Sequence, residues 1–67
     1  MTLVPVADQD YVGEYYIQDT ETGLLLCTDA SFSFHSDDRL LSGNEYLANN
    51  LIIQWNLLFE EGKIDTP

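Results

Sequence analysis

Residues 42–62 read SGNEYLANNLIIQWNLLFEEG, and this stretch decides the fold. Ser42 stands three residues before Glu45. That is the spacing of a capping box, in which the Ser hydroxyl accepts one free backbone N–H and the Glu side chain another. Gly62 suits the left-handed residue that ends many helices. Lys63 complements the negative end of a helix dipole, whereas Glu60 and Glu61 oppose it. The pattern predicts a helix over residues 43–61. At about 100° per residue, Leu47, Ala48, Leu51, Ile52, Trp55, Leu58 and Phe59 fall in one broad stripe that needs a sheet to cover it. Tyr46, Ile53 and Leu57 fall on nearly the opposite side. They are either scattered surface apolars or a second contact, and the sequence is read here as a contact with a second copy or a partner.

The sheet is sought upstream. Residues 11–17 (YVGEYYI) are aromatic and β-branched, which suits a pleated surface. Residues 18–23 (QDTETG) are a polar turn, and residues 24–28 (LLLCT) a short apolar strand, giving a hairpin. Residues 31–36 (SFSFHS) alternate with period two, which sets Phe32 and Phe34 inward and Ser31, Ser33 and His35 outward. Pro5 confines residues 2–6 to an edge strand or to no strand. The expected fold is α+β: a three-stranded antiparallel β-meander over residues 11–36, followed by one long C-terminal α-helix packed on it. Residues 1–10 form an extended lead-in and residues 64–67 a tail of the single domain 1–67.

Sixty-seven residues make one small domain, and 45% of them are hydrophobic, too many for a disordered acidic tail. Domains of this size often need a staple. Cys27 is the sole cysteine and His35 the sole histidine, so no internal disulfide can form, and one Cys with one His does not make a structural zinc site, which usually takes four such ligands. Self-association or docking on a partner is the remaining staple. A lone cysteine fits a reducing compartment. Residues 1–10 carry neither a basic start nor a long apolar run, so no secretory leader is expected. No stretch approaches the ~18 apolar residues of a membrane span. The expected setting is cytoplasmic.

Twelve Asp and Glu stand against Arg39 and Lys63, a formal net charge of -10. Such a chain repels nucleic acid and anionic membranes and attracts basic surfaces. Catalysis finds little support. Cys27 lies in a leucine run, as a small buried hydrophobe would, and His35 is expected to face solvent. Paired carboxylates need a cleft that shifts their pKa values, which so short a chain can hardly build beside a core. Asp37–Asp38 and Asp19–Glu21 have the chemistry for a hard cation, but Gly23 stands where a calcium loop begun at Asp19 needs its fifth-position ligand. No cofactor or metal is expected, and the chain is not read as an enzyme.

The carboxylates are therefore read as a partner-binding patch: Asp8, Asp10 and Glu14 on one parity, Asp19 and Glu21 at the hairpin tip, and Asp37 and Asp38 in the connection. The function expected is that of an inhibitor or nucleic-acid-mimicking decoy in the basic groove of a nucleic-acid-binding protein. Small acidic proteins of phages and mobile elements work in this manner as a class, an analogy of composition alone. The alternative is a structural or adaptor subunit that oligomerises or docks through Tyr46, Ile53 and Leu57.

Overall fold

The computed structural model describes residues 2–63. Met1 and the expected tail at 64–67 lie outside the described residues. Four strands, β1 (Leu3–Ala7), β2 (Tyr15–Asp19), β3 (Leu25–Leu26) and β4 (Phe32–Ser33), precede a short 3-10 turn (Ser36–Asp38) and the helix α1 (Glu45–Glu60). The sheet order is β1-β2-β3-β4 with every pair antiparallel, a meander with the helix packed on one face. The α+β architecture is the expected one, with a fourth strand added. That strand is the Pro5 segment. It pairs with β2 through the register Leu3↔Asp19 to Ala7↔Tyr15, and it lies at the sheet edge, where a residue lacking an N–H does least harm.

The first expected strand is displaced. Residues 11–14 turn rather than extend, because Gly13 takes φ 88° and the Glu14 N–H donates to the Tyr11 carbonyl at 3.1 Å. The Asp8 carboxylate accepts from the N–H groups of Asp10 and Tyr11, both at 3.0 Å, and holds the bend from inside. Phe32 faces the core as expected, but Phe34 does not: it is 72% exposed. The strand stops at Ser33, whose hydroxyl accepts the His35 N–H at 3.2 Å and turns the chain toward the 3-10 segment.

β2 and β3 pair only at Gln18↔Leu25 and then diverge. Residues 39–42 run between them. Leu40 donates its N–H to Leu26 at 2.9 Å, and Ser42 exchanges both backbone bonds with Tyr15 at 2.8 and 3.0 Å. This wedge takes Ser42 away from the helix, so the expected capping box does not form. Asn44 caps α1 instead, its side chain accepting the Leu47 N–H at 2.8 Å. At the other end Gly62, at φ 71°, donates to Phe59 and Lys63 donates to Leu58, both at 3.1 Å. This is the paired closure of a Schellman motif.

The core is Leu3, Ile17, Leu26, Ala48 and Ile52, flanked by Tyr15, Phe32, Leu40, Leu51, Trp55 and Phe59. Phe32 meets Trp55 edge-on at 5.6 Å between centroids, and Phe59 lies 5.9 Å from Trp55. Edge-to-face aromatic pairs add about 0.5–1.5 kcal/mol beyond area burial. Leu47, expected in the core stripe, is instead 47% exposed: in the first turn of α1 it is Ala48 that is buried in the core, and Leu47 lies on the flank of the helix toward Leu40 and Leu41. No helix among the described residues is long and apolar enough to cross a membrane.

Candidate functional site

The seven acids expected to form one patch divide into structural and exposed groups. Asp19 is 1% exposed, and its carboxylate accepts from Thr22 Oγ1 at 2.7 Å, the Thr2 N–H at 3.0 Å and the Glu21 N–H at 3.3 Å. These bonds stitch the β2–β3 turn to the start of β1. The Thr22 hydroxyl is the main reason that its pKa lies below the ordinary Asp value; burial pushes the other way. Asp8 is also buried. Arg39 donates to it through Nε at 2.6 Å and Nη2 at 3.1 Å, while Nη1 donates to the Ser36 carbonyl at 2.6 Å. That pairing holds Asp8 at a pKa of about 2, with the Tyr11 and Asp10 N–H groups adding to the effect against desolvation. Asp8 and Asp19 thus serve the fold, and their inclusion in a partner-facing patch is corrected.

Of the remaining five, Asp10, Asp37 and Asp38 are exposed around Arg39, whose Nη2 lies 3.4 Å from Asp10. Glu14 is half-buried at the same end of the sheet. Glu21 is exposed at the opposite end, beyond Asp19. The length of β2 alone separates the two ends by roughly 14 Å. At physiological salt, where screening acts over about 8 Å, they are distinct patches.

Tyr46, Ile53 and Leu57 are each more than half exposed, on the side of α1 away from the core, as the helical spacing implies. Beside them runs a groove that the sequence reading missed. It lies between the wedge and α1, with a volume of ≈ 360 Å³. Leu40, Leu41, Leu47 and Leu51 supply its apolar surface, and Ser42, Gly43, Asn50 and Gln54 complete the lining. No lining residue is charged. The sequence signal was the Leu40–Leu41 pair inside an otherwise polar connection.

The thiol of Cys27 is buried 3.2 Å from Ser33 Oγ and 3.9 Å from the backbone carbonyl of His35. The thiol therefore meets the backbone of His35, and this arrangement is one of packing. Among the described residues no group of three or more His, Cys, Asp or Glu side chains is placed to hold a metal ion. No protein-family model matches the chain, and neither the curated proteins nor the solved structures contain a match to it.

Proposed function

We propose that this chain is a non-catalytic binding protein that sets an acidic face against the basic surface of a protein partner. The partner is a nucleic-acid-binding protein, and the chain occupies its groove as a decoy. One observation supports this above the rest: both basic side chains are tied to carboxylates. Arg39 is bonded to Asp8 and Asp10, and Lys63 lies 3.0 Å from Glu61. The two cations are taken up by these pairs and the acids outnumber them twelve to two, so the field outside the molecule is negative and steers it toward cationic surfaces. Asp10, Asp37 and Asp38 form the acidic face in this reading. A cytoplasmic, counter-defence setting accords with the same composition.

The test is a pull-down from bacterial lysate with tagged protein, eluted in salt steps and with DNA as competitor. A nucleic-acid enzyme that elutes at moderate salt, is displaced by DNA and binds the Asp37→Asn/Asp38→Asn variant more weakly supports the decoy. A partner that survives high salt and ignores DNA overturns it. That second outcome belongs to the adaptor reading, which the exposed Tyr46, Ile53 and Leu57 favour. There, exchanging Ile53 and Leu57 for Asn abolishes binding, and neutralising Asp37 and Asp38 does little.

A further inference from the structure

The edge of a sheet is a ready-made template for a further strand, and this sheet ends in β1 on one side and β4 on the other. β1 is the longer, and none of its five residues, LVPVA, is charged. The ladder to β2 fixes which of its backbone groups face outward. At one end the Asp8 N–H donates to the Glu14 carbonyl at 2.8 Å; at the other the Thr20 N–H donates to the Thr2 carbonyl at 2.9 Å. Hydrogen-bonded pairs alternate along an antiparallel ladder. In this register Val4 and Val6 therefore turn their backbone groups to β2, and Leu3, Pro5 and Ala7 turn theirs to the open side. The far side of β2 keeps the same parity: Tyr15 exchanges bonds with Ser42, and the Asp19 N–H donates to the Leu24 carbonyl at 2.9 Å.

Pro5 thus stands at the middle of the outward-facing positions. It takes nothing from the ladder to β2, because the N–H it lacks would point away from that strand. A strand added outside β1, in either direction, would need donors from Leu3, Pro5 and Ala7, and the central one is missing. The net charge of -10 also opposes the approach of a second copy, but salt weakens that repulsion, and it leaves the proline's effect untouched. The other edge is closed by its length. The Cys27 N–H donates to the Ser31 carbonyl at 2.8 Å, so by the same alternation Ser33 faces β3 and Phe32 alone faces outward. Beyond it the His35 N–H turns back onto the Ser33 hydroxyl, and the chain leaves the sheet.

We propose that both edges are closed to strand addition, and that Pro5 is the residue that closes β1. Neither a second copy of this chain nor an extended segment of a partner joins the protein by lengthening its sheet. Contact runs instead through side chains. This inference stands apart from the acidic-surface reading and holds whichever partner is captured.

The experiment compares the full chain with Pro5→Thr, with Pro5→Ala, and with a chemically synthesised chain carrying N-methylalanine at position 5. The two substitutions restore the outward N–H, and the N-methyl group removes it again without the ring. Sedimentation is run at ~1 M sodium chloride, where screening acts over about 3 Å and repulsion between copies is suppressed. With rising concentration, Pro5→Thr and Pro5→Ala are expected to reach about twice the mass of the parent chain or more. The N-methylalanine chain should sediment like the parent. If both substituted chains keep the parent's circular dichroism and also its mass, the proposal is overturned; it is equally overturned if the N-methylalanine chain associates as they do. Amide exchange on the parent decides the matter where the variants do not fold. The Ala7 N–H should exchange roughly a hundredfold faster than the Val6 N–H beside it, at every concentration. A protected Ala7 amide, or protection that grows with concentration, would show an occupied edge and sink the idea.

Discussion

A carboxylate contributes to this fold according to the donors around it. Asp8 has a guanidinium and two backbone N–H groups, which hold its pKa at about 2. Unfolded, it titrates near 3.9. A folded-state pKa depressed in this way stabilises the native state above the unfolded value, and the contribution disappears as pH falls through about 2. Asp19 is shifted in the same direction, with Thr22 as its main donor. The thermal midpoint should therefore fall between pH ~4 and pH ~2. Asp8→Asn should start from a lower midpoint at pH 7, since it leaves Arg39 poorly paired, and should lose less across that window. Circular dichroism melts at several pH values check this, and parallel curves for the two proteins would assign the acid sensitivity elsewhere. Ser42 is the converse case, a buried hydroxyl without a partner. Ser42→Ala should stabilise the free chain by about 1 kcal/mol, the penalty of an unpaired buried polar group, and chemical denaturation would measure it. Neither role was legible in the sequence. A lone arginine among twelve acids implies some ion pair, but Asp8 and Arg39 are brought together only by the β1–β2 bend and the wedge. Asp19 stands three residues before Thr22, a local turn signal, yet its burial depends on Thr2, distant in sequence.

At the level of elements, the periodicities were readable and the boundaries were not. The stripe through Ala48, Ile52, Trp55 and Phe59 identified the buried face of α1, and Gly62 marked its end. The start moved two residues because residues 39–42 insert between β2 and β3, and a pairing so distant in sequence leaves no local trace. The capping box at Ser42 and Glu45 had the right spacing, but Ser42 donates its N–H to Tyr15 and is committed to the ladder. Asn44 therefore carries the cap. Asn44→Ala should cost about 1 kcal/mol, a fall of some 4–8 °C in the midpoint for a domain of this size, whereas Ser42→Ala should raise it. Melting the two variants side by side separates the two caps; a loss on Ser42→Ala and none on Asn44→Ala would restore the original assignment. In the sheet, Pro5 allows an edge strand or none, and the edge is where it lies. The strand sought at residues 11–17 was displaced because Gly13, φ 88°, lets the chain turn inside a run whose composition favours extension.

For the whole molecule the governing quantity is charge, and it acts in opposite directions on stability and on binding. The longest dimension is 34 Å. At ~10 mM salt the screening length is about 30 Å, so nearly every carboxylate feels every other; at ~0.15 M it is about 8 Å, and only neighbours interact. The net charge of -10 is plain from the sequence but not where its acids meet: the fold sets Asp10, Asp37 and Asp38 at one end of the sheet, Glu21 at the other, and Glu45, Glu60 and Glu61 at the ends of the helix. Within one patch the repulsion is short-range, whereas between ends it is long-range and removed by modest salt. The buried Arg39–Asp8 pair is screened far less than either. Sodium chloride should consequently raise the thermal midpoint of the free chain by a few degrees between ~10 mM and ~0.15 M, with little further gain. Asp37→Asn/Asp38→Asn should begin from a higher midpoint at low salt and gain less from added salt. The same salt step should weaken capture of a basic partner, and the same double variant should weaken it further. A surface kept for solubility alone would show the first pair of effects without the second. If the variant proves more stable and binds the partner as well as the parent chain does, the acids have no part in recognition, and contact must run through Tyr46, Ile53, Leu57 and the groove beside them.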